Sequence, residues 1–383
     1  MRRLSMICLL LTLSTLFLMS PARAAGWTAK ATTLDLIAGP GATAAFLAPD
    51  GSRFAYFKGK EVCLYSITGE KGDCAGLADD VGIDLDSVRW SPDGTKLAFS
   101  ENFIITFRDS DIWVYDTETN TITDLTPTAN RGGSLLSAKP DTVFTVDMIP
   151  QWASDSQSIY FVRYQFNKLG DAYPHFYKIG LKDTEPQEVG TIESYFPLSV
   201  YGFALSPDDS KIAYLRDTQN TQKNDGTWFF DLETKESKFA AAPVQDTLPW
   251  AYQFSPKGDL LLVIGVDKTG NMRDNKPETS PIYTIPVSGG RQQQLNNDTY
   301  VFSAGWGPES SELAYATFDR LNPDKEGLYI TSEPGKAGEL ILPGRFIAPV
   351  PRVRTPITWA SNNVLLLSQG PDFKLVVVQL SQS

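Results

Sequence analysis

The chain carries few of the side chains that catalysis usually needs. His175 is its only histidine, so a Ser–His–Asp triad has one possible base, and no Gly-x-Ser-x-Gly elbow is present to hold the serine. Zinc sites normally draw on several His or Cys ligands, and no Gly-rich phosphate loop occurs. Paired carboxylates could act without histidine, since Asp and Glu are plentiful. We therefore expect no metal and no cofactor, and a structural role for His175 at a strand edge.

Charged and aromatic side chains collect in the longer connections between apolar segments. An Arg-Asp or Asp-Arg pair recurs at the start or tip of four of them. The candidate binding residues are Arg108, Asp109, Tyr173, His175, Arg216, Asp217, Asp267, Arg273, Asp274, Asp319 and Arg320. These groups could contact a ligand, or they could pair with one another and pin the loops, which stabilises by only about 0–1 kcal/mol for each exposed pair. Residues 267–274 could hold Ca²⁺, but they lack a recognisable Ca²⁺-loop spacing.

The elements that must position these loops repeat along the chain. Residues 88–100 read as an apolar strand, a Pro-Asp-Gly turn and a second apolar strand, and residues 111–126 add two more strands around a polar turn. Proline, Asp and Gly each favour a tight turn for a different backbone reason. Copies of the first turn lie at 48–51, 91–94, 153–156, 206–209, 255–258, 307–310 and 360–363.

An aromatic residue stands one to three positions before each of these turns. The seven are Phe46, Trp90, Trp152, Phe203, Phe254, Trp306 and Trp359. Seven copies of a strand-only unit predict an all-β fold, a seven-bladed β-propeller of four-stranded antiparallel blades. A β-sandwich is the competing interpretation, but it would not need the same turn seven times.

The blade 2 copy carries a family resemblance. Ser-Pro-Asp-Gly-Thr-Lys-Leu-Ala-Phe at 91–99, followed by Asp-Ile-Trp-Val-Tyr-Asp at 111–116, resembles the WD40-like repeat of TolB-type β-propellers. Related repeats form the propeller domains of prolyl-oligopeptidase-type peptidases. The resemblance extends over all seven copies, and it implies a propeller fold and an envelope-assembly setting.

The last copy is one strand short. Residues 358–360, 364–367 and 373–380 supply its first three strands, and the segment 30–37 ahead of blade 1 matches the pattern of a fourth strand. We therefore expect residues 30–37 to complete blade 7 beside 373–380. This closure hides an open sheet edge that would otherwise invite aggregation.

Two cysteines occupy equivalent positions of one blade. Aligning 61–66 with 111–116 places Cys63 at the position of Trp113 and Cys74 at that of Asp124. These positions face each other if the hairpin pairs Tyr65 with Gly72, and opposed Cβ atoms lie about 4.5–5.5 Å apart, slightly wide of an ideal disulfide. A structural disulfide is the prediction, and two buried or free thiols are the alternative.

The first 24 residues predict a cleavable secretory signal peptide. Arg2 and Arg3 precede an apolar stretch at 7–19, and Ala22-Arg23-Ala24 matches the Ala-x-Ala cleavage pattern. Residues 25–383 are then one propeller domain in the periplasm or outside the cell. With 34 basic and 45 acidic residues, the chain is a poor ligand for nucleic acid or anionic lipid, and no later segment is apolar enough to span a bilayer.

The distribution of long loops indicates where the protein binds. In an antiparallel blade, the connections from the second to the third strand and from one blade to the next leave the same face, and the long connections are of these two kinds. We expect a monomeric, non-enzymatic protein that binds a protein, peptide or glycan of the cell envelope through this face. The alternatives are a polysaccharide-processing enzyme similar to oligogalacturonate lyase, whose sites use several histidines, and a regulatory propeller for a separate hydrolase.

Overall fold

The computed structural model describes most of the chain between Gly26 and Gln382. The described stretches are 26–39, 43–79, 81–102, 108–128, 133–134, 143–166, 174–191, 203–216, 225–244, 247–267, 281–295, 300–309, 312–319, 322–333, 336, 338–350 and 355–382. The predicted signal peptide and Cys8 lie outside them. Within these stretches, no helix has the length and apolar character needed to cross a membrane.

Seven sheets of four antiparallel strands form the blades, as the repeat predicts. We call the strands of each blade a to d, from the innermost outward. Blade 1 holds β2 (Thr43–Leu47), β3 (Arg53–Lys58), β4 (Glu61–Ser66) and β5 (Lys71–Gly76). Blade 2 holds β6 (Arg89–Trp90), β7 (Lys96–Ser100), β8 (Ile112–Asp116) and β9 (Thr121–Asp124). Blade 3 holds β10 (Phe144–Trp152), β11 (Ser158–Phe166), β12 (Pro174–Gly180) and β13 (Gln187–Thr191).

The remaining four blades have the same strand order. Blade 4 holds β14 (Phe203–Leu205), β15 (Lys211–Arg216), β16 (Gly226–Asp231) and β17 (Ser237–Ala241). Blade 5 holds β18 (Thr247–Phe254), β19 (Leu260–Asp267), β20 (Ile282–Pro286) and β21 (Gln293–Gln294). Blade 6 holds β22 (Tyr300–Trp306), β23 (Leu313–Phe318), β24 (Gly327–Thr331) and β25 (Glu339–Pro343). Blade 7 holds β26 (Phe346–Ile347), β27 (Val364–Gln369), β28 (Lys374–Gln382) and β1 (Trp27–Ile37), and short 3₁₀ turns lie at Leu85–Ser87 and Pro323–Lys325.

The predicted turns join strand a to strand b in every blade. In six of them the last motif position has a φ between 55° and 70°, which glycine adopts freely and Ser, Asp or Asn adopt less often. The six residues are Gly51, Gly94, Ser156, Asp209, Gly258 and Asn363. The degenerate copies therefore keep the backbone of the Pro-Asp-Gly turn.

The hydrophobic core lies between neighbouring blades. Because side chains alternate across a strand, each strand presents one face to the blade before it and the other to the blade after it. In β7, Leu97 and Phe99 pack with Phe57 of blade 1, while Ala98 packs with Phe161 of blade 3.

The tryptophans before the turns hold adjacent blades together. In three of the four, the indole Nε1 donates to a backbone carbonyl in strand a of the preceding blade: Trp90 to Phe46 at 2.8 Å, Trp152 to Arg89 at 3.0 Å, and Trp306 to Gln253 at 3.0 Å. Trp359 instead donates to Asn363 Oδ1 of its own blade, at 3.2 Å. The recurrence of the other three in the sequence is thus explained by the ring itself.

The ring closes as predicted, with one correction. β1 pairs with β28 from Trp27↔Gln382 to Ile37↔Lys374, which completes blade 7. The prediction for its innermost strand was wrong, because β26 (Phe346–Ile347) occupies that place and Trp359 of the segment 358–360 makes only an isolated bridge to Leu365. Residues 348–357 are inserted between these two points of contact with β27.

The disulfide prediction is confirmed: Cys63 and Cys74 are bonded, with Cα atoms 4.0 Å apart. The two residues pair directly across β4 and β5, as Trp113 and Asp124 do in blade 2. The expected neighbouring pair was off by one residue. Tyr65 pairs with Lys71 and not with Gly72, because a bulge shifts the register after Cys63.

Candidate functional site

The connections differ in length between the two faces of the disc. In blades 1 to 6 the connections from strand a to strand b run over about five residues, as at 48–52 and 91–95, whereas those from b to c span 101–111, 217–225 and 268–281. Blade 7 is the exception, because its a-to-b connection, 348–363, contains the insertion. The antiparallel order places the b-to-c and d-to-a connections on one face, which we call the loop face. Long b-to-c connections occur in blades 2 to 6, while in blade 1 this connection is only residues 59–60.

Five of the predicted binding residues lie outside the described residues: Tyr173, Asp217, Arg273, Asp274 and Arg320. Asp267 is the last residue of β19. Arg108 is exposed and bridges to Ser134, whereas the neighbouring Asp109 is buried and accepts a hydrogen bond from Thr128 Oγ1 at 3.1 Å.

The other three described candidates contact their own blades. His175, in the outer half of blade 3, has Nδ1 2.9 Å from Glu188 Oε1. The Arg216 guanidinium lies over the Trp228 ring at 4.7 Å. Asp319 accepts a hydrogen bond from the backbone of Asn322 at 2.9 Å. Where the structure describes these side chains, it assigns them local partners and does not bring them together into one site.

A cavity of about 500 Å³ lies at the centre of the ring, and we call it the central cavity. Its walls come from strand a and the following turn of several blades and from the segment inserted in blade 7, and they are largely apolar. Four charged or amide side chains also line it: Asp86, Arg89, Gln151 and Gln253. A concave, mostly apolar pocket with a few polar groups is the usual form of a small-ligand site.

The Arg89 guanidinium is held at one corner. Its Nη1 donates to the backbone carbonyls of Asp86 and Val88, both at 2.8 Å. Burial lowers the pKa of Arg89, and the negative charges of Asp86 and Asp84 oppose that shift. Nε and Nη2 make no hydrogen bond or ion pair with any residue that the structure describes.

A backbone irregularity positions Gln151 on the opposite side of the seam between blades 2 and 3. The register of β10 shifts between Met148 and Gln151, and Ile149 in this bulge has a φ of 56°. A β-branched residue rarely adopts a positive φ, and such a conformation costs on the order of 1–3 kcal/mol. Bulges redirect side chains. Gln151 Nε2 is buried and has no partner among the described residues.

Gln253 occupies the same repeat position but is partnered. The register of β18 also shifts, between Pro249 and Ala251. Gln253 Oε1 accepts a hydrogen bond from the backbone N–H of Trp306 at 3.2 Å. The side-chain amide oxygen of Gln253 therefore helps to hold blade 5 against blade 6.

A second polar region lies at the boundary of blades 2 and 3, and we call it the carboxylate cluster. Its members are Glu101, Asp109, Asp111, Asp124 and Asp147. Arg163 holds Asp147 through two hydrogen bonds of 2.7 Å, from Nε and Nη2. The backbone N–H of Asp111 donates to Glu101 Oε2 at 3.2 Å. Among the hydrogen bonds of the described residues, Arg163 holds Asp147 and no other member of the cluster.

Asp111 is the least satisfied member of the cluster. Its side chain is 0% exposed, and neither carboxyl oxygen has a hydrogen-bond partner among the described residues. Burial, followed by the charges of the other four carboxylates, raises its pKa to about 9. Burial also raises the pKa of Glu101 to about 7. Asp111 is therefore protonated at neutral pH, and Glu101 titrates near neutrality.

The cluster does not have the arrangement of a metal site. Across the described part of the chain, no three His, Cys, Asp or Glu side chains are placed so that they could hold a metal ion. The excess negative charge is met by a proton on Asp111 and by the Asp147–Arg163 pair.

The sequence contains a signal for the cavity residues that the turn motifs alone do not reveal. Arg89, Gln151 and Gln253 each directly precede the aromatic residue that ends strand a. All three of these polar residues line the central cavity, together with some of the aromatic residues that follow them, such as Trp90 and Phe254. Polar residues at this one repeat position mark the cavity wall.

No protein-family model and no curated protein matches the chain. Among solved structures, an oligogalacturonate lyase in complex with manganese is 11% identical with a TM-score of 0.59, covering 93% of this chain and 91% of that one. The β-propeller domain of the trilobed protease from Pyrococcus furiosus is 14% identical with a TM-score of 0.51, covering 92% and 95%.

A TolB-like protein from Agrobacterium tumefaciens is 18% identical with a TM-score of 0.45, covering 66% of this chain and 79% of that one. At these identities the similarities show a β-propeller and nothing finer. The TolB-type repeat family stays a prediction from the sequence motifs.

Proposed function

We propose that this protein is an extracytoplasmic binding protein that captures a protein, peptide or glycan partner on its loop face. The observation that carries the proposal is the one-sided distribution of long connections in blades 2 to 6. A ring of seven sheets is a rigid support, and binding residues are concentrated on loops that such supports display.

The disulfide supports the proposed compartment. Cys63 and Cys74 are bonded across β4 and β5, and such bonds persist in oxidising environments such as the periplasm. The predicted signal peptide over residues 1–24 is consistent with the same setting.

The test is capture of one partner from envelope extract by the purified mature protein and two double variants. Arg108→Ala with Arg216→Ala removes two cations from the loop face. Lys257→Ala with Arg291→Ala removes two exposed cations from the opposite face and is the matched control. We expect the loop-face variant to lose the partner and the control to keep it, with melting curves confirming that both fold. Equal capture by all three proteins would contradict the proposal, and a hydrolase as partner would support the regulatory alternative.

Cleavage of oligogalacturonate, the substrate in the name of one structural neighbour, is the enzymatic alternative. The described residues do not fit a manganese site, because no three potential ligands converge and His175 does not line the central cavity. We derive no catalytic step from that similarity. Turnover of oligogalacturonate with Mn²⁺, abolished by His175→Ala, would replace the binding proposal with the enzymatic one.

A further inference from the structure

Three arginines of this protein differ in what lies opposite the edge of the guanidinium that carries Nε and Nη2. Arg163 uses Nε and Nη2 to hold Asp147, with both distances 2.7 Å. Arg345 uses the same two nitrogens to hold Glu326, at 3.2 Å and 3.1 Å. Arg89 lines the central cavity, and its Nε and Nη2 have no partner among the described residues.

The guanidinium of Arg89 is oriented before any ligand arrives. Its Nη1 is tied to the carbonyls of Asp86 and Val88 at 2.8 Å, so the Nε/Nη2 edge is the part left for the cavity. Two parallel N–H groups in a fixed plane match the two oxygens of a carboxylate. The cost of ordering the side chain is met in the unliganded protein, which favours binding.

Gln151 adds a second donor to the same cavity. Its Nε2 is buried without a partner among the described residues, and leaving a buried donor unsatisfied costs on the order of 1–3 kcal/mol. The bulge at Ile149 is a strained feature that accompanies this placement. Nε and Nη2 of Arg89 and Nε2 of Gln151 thus find no acceptor oxygen among the described residues, and a ligand in the cavity could supply acceptors.

We propose that the central cavity binds a small organic monocarboxylate, whose two oxygens lie on the Nε/Nη2 edge of Arg89. The volume of about 500 Å³ is within the usual range for a small-molecule site. The apolar walls, which include Phe46 and Phe254, accept the rest of the molecule. A second negative charge on the ligand is disfavoured, because Asp86 also lines the cavity and Asp84 lies close enough to act on Arg89.

The proposal goes beyond partner capture on the loop face, and matched ligand pairs test it directly. The probes are benzoate against benzamide and hexanoate against hexanamide, with succinate as a dicarboxylate, measured by ligand-observed NMR on the mature protein. We expect each monocarboxylate to bind at least about tenfold more tightly than its amide, because only the carboxylate offers two charged acceptor oxygens. Equal binding of acid and amide, or no binding of either acid at millimolar concentration, would overturn the proposal.

Two variants of Arg89 distinguish the contribution of its planar pair of N–H donors from that of its positive charge. Arg89→Lys keeps the charge but loses the planar pair of donors, and Arg89→Gln loses both. We expect each to weaken binding of the monocarboxylates by at least about tenfold, while the exposed control Arg291→Gln leaves it unchanged. Unchanged affinity in either folded Arg89 variant would overturn the assignment. Partner capture should survive both Arg89 variants, so failure here and failure of the loop-face proposal are separate results.

Discussion

The carboxylate cluster and the Arg89–Gln151 side of the central cavity both lie in blades 2 and 3 but differ in which hydrogen-bonding partners they lack. Among the described residues, the cluster lacks donors for Asp111, and the cavity lacks acceptors for Arg89 and Gln151. In the cluster, both carboxyl oxygens of Asp111 lack a hydrogen-bond partner among the described residues, and Asp111 is 0% exposed. In the cavity, Nε and Nη2 of Arg89 and Nε2 of Gln151 have no hydrogen-bond partner among the described residues, and both residues line open space. A sealed site can satisfy an excess of acid only with a proton, whereas an open one can satisfy an excess of donors with a ligand.

The arginines make the same contrast. Arg163 meets a carboxylate from its own blade and is fixed by it, and its guanidinium also lies over the Tyr177 ring at 4.8 Å. Arg89 meets only backbone carbonyls. Being an arginine therefore does not by itself make a residue a candidate binding group. What distinguishes Arg89 from Arg163 is that Nε and Nη2 of Arg89 have no partner among the described residues.

Removing the one cation of the cluster should have the largest effect. Arg163→Met leaves the buried Asp147 without its partner, and an uncompensated buried charge costs about 3–5 kcal/mol of unfolding free energy. Denaturant unfolding measures this change. Arg345→Met is the comparison variant. Arg345 holds the buried Glu326 by the same edge, but the Arg345 side chain is 44% exposed, so water screens this pair more and its loss should cost less than the loss of Arg163. Equal losses in the two variants would show that Asp147 is not desolvated in solution.

The sequence predicts the propeller that holds the two regions, but it does not predict the carboxylate cluster or the central cavity. The repeated turns, the closing strand and the Cys63–Cys74 pair follow from local patterns whose spacing fixes the register. The carboxylate cluster combines residues from two strands, β9 and β10, and from the connection 101–111, and no local pattern relates Asp111 to Asp147. The bulge at Ile149 and the insertion at 348–357 break the period-2 pattern, so the innermost strand of blade 7 was misplaced.

The proton on Asp111 should appear as a pH dependence of stability. Its pKa is about 9 in the folded protein against a usual value of 3.8, so between these values the folded state binds a proton that the unfolded state does not. Stability therefore falls as the pH rises through this window. The side chain introduced by Asp111→Asn cannot titrate. The free energy of unfolding of this variant should therefore rise by about 3 kcal/mol relative to that of the parent between about pH 6 and about pH 8.

Asp116→Asn is the control for this measurement. Asp116 lies on β8, the strand that begins directly after Asp111. Burial is the largest single influence and raises its pKa, but the backbone hydrogen bonds from Thr119 and Glu118 and the contact with Lys96 together hold the pKa below the usual value. It is ionised throughout this range, so its variant should differ from the parent by a constant amount. A constant difference for Asp111→Asn as well would mean that Asp111 is already ionised near neutrality.

Two glutamines at the same repeat position provide the smallest and most selective test. Gln151→Leu removes a buried donor that has no partner, so the free energy of unfolding should stay the same or rise by up to about 1 kcal/mol. Gln253→Leu removes the acceptor of the Trp306 N–H and should cost about 1 kcal/mol. Denaturant midpoints compared at constant slope give both numbers. If Gln151→Leu loses as much free energy of unfolding as Gln253→Leu, then Gln151 already has a hydrogen-bond partner in solution. In that case Arg89 would be the remaining cavity residue whose donors lack an acceptor among the described residues.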